Sequence, residues 1–116
     1  MSRTLSMTAC VLSGAALILA APTAGAAGID AAAAQALAKD NECFKCHTLD
    51  KTKKGPSYKK ISAKYKGKAD AEAKVIKHMT SGPKVKLEDG SEEDHKIIET
   101  KDDAEIKNLV HWILSL

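Results

Sequence analysis

The tightest constraint in this chain is a five-residue run, Cys43-Phe44-Lys45-Cys46-His47, in which an imidazole directly follows the second of two closely spaced thiols. Thiols at that spacing, on a chain just leaving a helix, reach two vinyl groups on neighbouring pyrroles of a porphyrin, and the next residue then aims a nitrogen at the iron. The run is therefore read as the attachment site for one haem c per chain. Cys43 and Cys46 are the thioether donors and His47 is an axial ligand. Other chemistries also use a Cys-x-x-Cys pair. A structural zinc knuckle needs a fourth ligand at sensible spacing and gains nothing from a histidine in this position. A thioredoxin-like redox pair needs a βαβ setting, which the helical pattern does not offer. A structural disulfide across so short a loop adds little chain-entropy stabilisation.

The N-terminus points to export. Arg3 precedes an apolar, alanine-rich run from Ala9 to Ala21, and Ala24-Gly25-Ala26 supplies a small-x-small cleavage pattern. Residues 1–26 are read as a cleaved signal peptide that takes Cys10 with it, leaving one domain, 27–116, in the periplasm. The run is too short and too rich in alanine to span a bilayer, so no stable membrane insertion is expected after cleavage. The remaining domain can bury only a modest core. Beyond its histidines its aromatic residues are Phe44, Tyr58, Tyr65 and Trp112. A large apolar prosthetic group would make up the missing bulk.

The pattern along the chain is helical. Asp30 caps an alanine-rich helix over 31–39 that runs into the cysteines. Residues 48–56 read as a loop broken at Gly55-Pro56. A short helix follows over 57–65, with Ile61 and Tyr65 on one face, and Gly67 ends it. Asp70 caps the next helix, which runs to about Thr80 and stops at Gly82-Pro83. Residues 83–100 lack a helical period and carry many charges, so they read as an extended loop with a short strand over 85–87. Asp102 and Glu105 form a capping-box pattern ahead of a final helix whose apolar face is Ile106, Leu109, Val110, Ile113 and Leu114.

Taken together, these pieces resemble the small class I bacterial cytochromes c: a first helix running into Cys43-x-x-Cys46-His47, then Gly55-Pro56-Ser57-Tyr58-Lys59, Ala63-Lys64-Tyr65, and a last helix ending Leu109-Val110-His111-Trp112-Ile113-Leu114-Ser115. The resemblance implies an all-α fold of three to four helices around one covalent haem, with the first and last helices crossing. It also implies that the Pro56 carbonyl accepts a hydrogen bond from the His47 imidazole and so fixes its orientation and basicity. The family's usual sixth ligand is a methionine in a loop shortly before the C-terminal tryptophan, and here the chain departs from the pattern. Met79 is the one methionine outside the leader, and it sits at the end of a predicted helix far upstream of Trp112. His95 occupies the loop where the family's ligand belongs. The expectation is therefore a bis-histidine, low-spin haem on His47 and His95, with Met79 as the less favoured ligand and a reduction potential below that of a His/Met cytochrome. His78 reads as a polar helix residue, and His111 as outward-facing.

Net charge is only +3, but it is unevenly spread. Between Lys45 and Lys86 thirteen lysines face three acids, whereas Glu88 to Glu105 holds nine acids against Lys96 and Lys101. Such a dipole would steer redox partner proteins with an acidic face. Nucleic acid is not an expected partner, because the basic stretch has no aromatic stacking platform. Six fixed bonds to an iron suit an electron carrier, not an enzyme. Two other roles share the motif: a gas-binding or sensing haem protein with an open or labile distal site, and the haem subunit of a periplasmic oxidoreductase.

Overall fold

The computed structural model describes residues 28–116; the signal peptide read over 1–26 lies outside the described residues. Among the described residues, four α-helices and one β-hairpin surround a cavity. Helix α1 (Ala31–Asp40) starts where an Asp30 carboxylate oxygen accepts from the Ala33 N–H at 2.9 Å. Such a cap satisfies a backbone donor that the helix itself leaves unpaired. The predicted cap and span hold to within one residue. Alanine at positions 34 and 38 lets α1 lie flat on helix α4 (Asp103–Leu114), and both residues are fully buried. Asn108 on α4 clamps the start of α1: its Oδ1 accepts from the Asp30 N–H and its Nδ2 donates to the Asp30 carbonyl, each at 2.9 Å. The terminal helices thus pack together, and the fold is the expected all-α one with a hairpin added.

Helix α2 (Tyr58–Tyr65) begins after Ser57, whose hydroxyl accepts from the Lys60 N–H, and is tied to α4 by the Ser62 hydroxyl donating to the Leu114 carbonyl at 2.8 Å. Helix α3 (Ala71–Ser81) ends at Gly82, which takes a left-handed conformation at φ 61°. Its start corrects the sequence reading. Asp70 occupies the capping position but makes no capping bond; its carboxylate pairs with Lys74 one turn on, at 2.8 Å. The capping box of α4 is also only half formed. Asp102 accepts from the Ala104 and Glu105 N–H groups, but Glu105 accepts from the Thr100 hydroxyl, which in turn accepts from the Asp102 N–H. Thr100 therefore relays the second bond that a capping box makes directly.

The stretch 83–100 holds more order than its charge suggested. Strand β1 (Lys84–Lys86) pairs antiparallel with strand β2 (Glu92–Asp94), in the register Lys84–Asp94, Val85–Glu93, Lys86–Glu92. Opposite charges directly across a ladder attract, so the end of the basic run lies on the start of the acidic one. The strand begins and ends one residue earlier than the predicted 85–87. The core runs from α4, where Leu109 and Val110 have no exposure, through Trp112 to Tyr58, with ring centres 5.5 Å apart edge to face. Trp112 belongs to the buried face of α4, together with the predicted Ile106, Leu109, Val110 and Ile113. Leu114 is only half-buried.

Candidate functional site

Chain reversal after α1 sets up the site. Glu42 adopts the left-handed region at φ 59°, unusual for a residue with a Cβ, and its carboxylate is held by Lys45 and Lys96. Those ammonium groups keep its carboxyl below the usual range. A short 3-10 turn, Cys43–Lys45, follows, and its bonds from Cys46 N and His47 N to the Cys43 carbonyl bring the two thiols and the imidazole to one wall. Neither thiol is in a disulfide. Burial pushes the Cys43 thiol up.

His47 is held on three sides. Its Nδ1 lies 2.7 Å from the Pro56 carbonyl oxygen. A carbonyl only accepts, so Nδ1 carries the proton and Nε2 keeps a free lone pair. The Tyr58 ring stacks against the imidazole with centres 5.4 Å apart. Gly55 covers the third side: a Cβ there would lie 3.0 Å from His47 Cε1. Glycine is thus required for contact, a role beyond that of a helix breaker. The loop is braced from within by Gly55 N donating to the Cys46 carbonyl and Tyr58 N to the Thr48 carbonyl, both at 2.9 Å.

His95 faces His47 across the cavity. The ring centres are 6.1 Å apart and the planes meet at 44°. His95 Nδ1 lies 2.9 Å from the Lys96 carbonyl, so this imidazole too presents an unprotonated Nε2. Burial lowers its pKa, which favours the neutral form that can donate to a metal. The backbone around it rests on the end of α3: His95 N donates to the Pro83 carbonyl at 2.8 Å and Ile98 N to the Met79 carbonyl at 2.9 Å. A Cβ on Gly82 would meet Ile97 Cγ1 at 2.9 Å and the His95 carbonyl at 3.1 Å, so this glycine serves both the helix end and the loop that crosses it. Asn41, buried at the end of α1, completes the bed. Its Nδ2 donates to the Leu37 carbonyl and its Oδ1 accepts from the Glu99 N–H.

The cavity between the imidazoles has a volume of about 700 Å³. Its walls include Cys43, Cys46, Val75, Met79, Leu109 and Ile113. A planar apolar group with a central metal fits this donor set. An imidazole bonded to a metal through Nε2 would hold its ring centre about 3 Å from it, so the separation of His47 and His95 would suit a pair that shares one metal. Of the residues singled out from sequence, Cys43, Cys46, His47, Pro56 and His95 converge on this space. Met79 lines it as well, from the buried side of α3, and also supplies the carbonyl that holds Ile98. His78, read as an ordinary polar residue, stands at the cavity with its ring centre 4.4 Å from that of His95. His111 faces outward as expected and donates to Glu72 on α3 at 2.6 Å. Sequence reasoning missed Asn41, Tyr58 and His78. An asparagine directly after a helix is a known end signal; the contacts of Tyr58 and His78 depend on segments distant in the chain.

The cytochrome c family profile matches residues 31–116, which takes in the motif, the cavity and all four helices. The chain belongs to the cytochrome c family. A crystal structure of the class 1 cytochrome MtoD from Sideroxydans lithotrophicus ES-1 superposes on this cytochrome with a TM-score of 0.73 at 61% identity, covering 76% of this chain and 97% of that one. Cytochrome c2 of Rhodocyclus tenuis is 37% identical over 82 residues, 70% of this chain and 89% of the relative. Cytochrome c-551 of Pseudomonas aeruginosa is 37% identical over 65 residues; the match spans 56% of this chain and 62% of that relative's length. This is therefore a small class I bacterial c-type cytochrome with one covalently attached haem c, an electron carrier and not an enzyme. Among the described residues no helix is long and apolar enough to cross a membrane.

Proposed function

We propose that this cytochrome is an exported one-electron carrier, freed of residues 1–26 in the periplasm, whose haem is bonded through Cys43 and Cys46 and ligated by His47 and His95. The observation that carries the reading is the matched pair of imidazoles: each gives its Nδ1 proton to a backbone carbonyl, and their centres stand 6.1 Å apart across the cavity. Haem c supplies an iron that cycles between ferrous and ferric states. The chain's own residues keep that cycle free of rearrangement. Pro56 holds the His47 tautomer and raises its basicity. Pro83, Met79 and Asn41 hold the backbone on either side of His95, so neither ligand has to move when charge changes. Leu109, Ile113 and Val75 line the cavity with apolar side chains.

Two imidazoles favour ferric iron more than an imidazole and a thioether do, so the potential is low for the family. Lys60, Lys64, Lys86 and Lys96 at the cavity walls offer an acidic redox partner a complementary face. Replacing His95 with methionine tests the ligand assignment. His95→Met should raise the reduction potential, and His95→Ala should open a position that carbon monoxide fills in the ferrous protein. Potentials and carbon monoxide binding that match the wild type in both variants would refute His95 as a ligand.

A further inference from the structure

The distal imidazole is fixed at only one of its atoms by the hydrogen bond to Lys96, and that partner is its own neighbour in sequence. That bond ties the ring only to its own segment and to nothing in the helices around it, and the Cβ–Cγ torsion by itself sets the plane weakly because its wells are broad and roughly two-fold. The proximal ring, by contrast, has Tyr58 on its face and Gly55 at its edge. A comparable wall on the distal side is His78. Its ring meets that of His95 edge to face, with centres 4.4 Å apart and planes at 64°. It projects from the last turns of α3, the same turns whose Met79 carbonyl and following Pro83 carbonyl hold the His95 segment, so wall and ligand share one rigid support. Among the described residues His78 has no hydrogen-bond partner, whereas His47, His95 and His111 each have one. Its contact with His95 is therefore one of packing.

Resting on the bis-histidine reading, we infer that His78 is a positioning residue that sets the plane of the His95 imidazole against that of His47. The angle between two axial imidazoles governs how the ferric d orbitals split, and electron paramagnetic resonance of the frozen ferric protein reads that splitting directly. A ring at position 78 is what the geometry requires, not a nitrogen. His78→Ala should shift and broaden the low-spin signal. It should also speed capture of added cyanide by about two- to tenfold, the range to which one aromatic pair converts. His78→Phe should restore both properties. Residue 78 is exposed, so both variants retain the fold.

Three results would overturn the inference. His78→Ala matching the wild type in spectrum and cyanide rate removes the wall. His78→Phe failing to rescue shows that the ring is not the feature that matters. A wild-type signal that is not that of two imidazoles removes the axial reading itself, whereas in the first two cases that reading stands.

Discussion

Around His47 every constraint comes from the stretch between Cys43 and Tyr58: the two thiols, the Gly55 contact, the Pro56 carbonyl and the Tyr58 ring. Around His95 they come from across the chain: Asn41 at the end of α1, Met79 and Pro83 at the end of α3, and Gly82 beneath the loop. The near wall is a local motif that closes on itself once the turn forms. The far wall exists only when α1, α3 and the hairpin have docked. Constraints of the second kind carry a loop-closure cost before they form, so the His95 side should be the first to loosen under stress while the His47 side stays in place.

The contrast can be broken most severely at its local end. Substituting both cysteines, Cys43→Ser with Cys46→Ser, should leave a colourless chain at its bare polypeptide mass, read by mass spectrometry and visible absorption. No single change on the distal side should do this. Next in size are the two contact glycines. Gly55→Ala places a methyl 3.0 Å from the His47 ring, and Gly82→Ala places one 2.9 Å from Ile97 in a left-handed backbone. Each should cost about 1–3 kcal/mol in denaturant unfolding of the holoprotein. They should differ in kind: Gly55→Ala perturbs the proximal imidazole signals in paramagnetic NMR, and Gly82→Ala the distal ones.

Asn41→Ala should have a somewhat smaller effect. It strips the Glu99 N–H of its partner, worth about 1–3 kcal/mol if water cannot replace it. Hydrogen exchange should show the 95–99 segment opening earlier than the 47–56 loop. The smallest effect lies on the surface. The His111 imidazole, donating to Glu72, holds that carboxyl below its usual range. A depressed folded value means the pair's contribution is present above the unfolded carboxylate pKa of about 4.3 and is lost as pH falls through the folded value. Glu72→Gln should therefore flatten the acid limb of the stability curve slightly and leave neutral pH almost unchanged, since both side chains are exposed.

The same contrast explains what could be read from the sequence. Cys43-x-x-Cys46-His47 and Gly55-Pro56 are legible because covalent chemistry and a tight turn fix spacing within a few residues. The spans of α1 and α4 follow from helix caps and apolar periodicity, and they agree with the fold to within about a residue. The hairpin was only half legible: its strands are short and charged, and what pairs them is the match of Lys84 and Lys86 with Asp94 and Glu92, a non-local fact. Asp70 misled because a capping residue with a lysine one turn on can form an ion pair instead. The place of His95 came from the resemblance to class I cytochromes c. The bed that Asn41, Gly82 and Pro83 make for it has no signature in the linear chain, and the wall formed by His78 has none either.

Near-infrared magnetic circular dichroism of the ferric wild-type holoprotein tests the central claim most directly, because the energy of its charge-transfer band depends on the axial pair. The account predicts a band at the position of two neutral imidazoles. A band at the position of an imidazole with a thioether, which would return the sixth ligand to Met79, would contradict it, as would a high-spin spectrum.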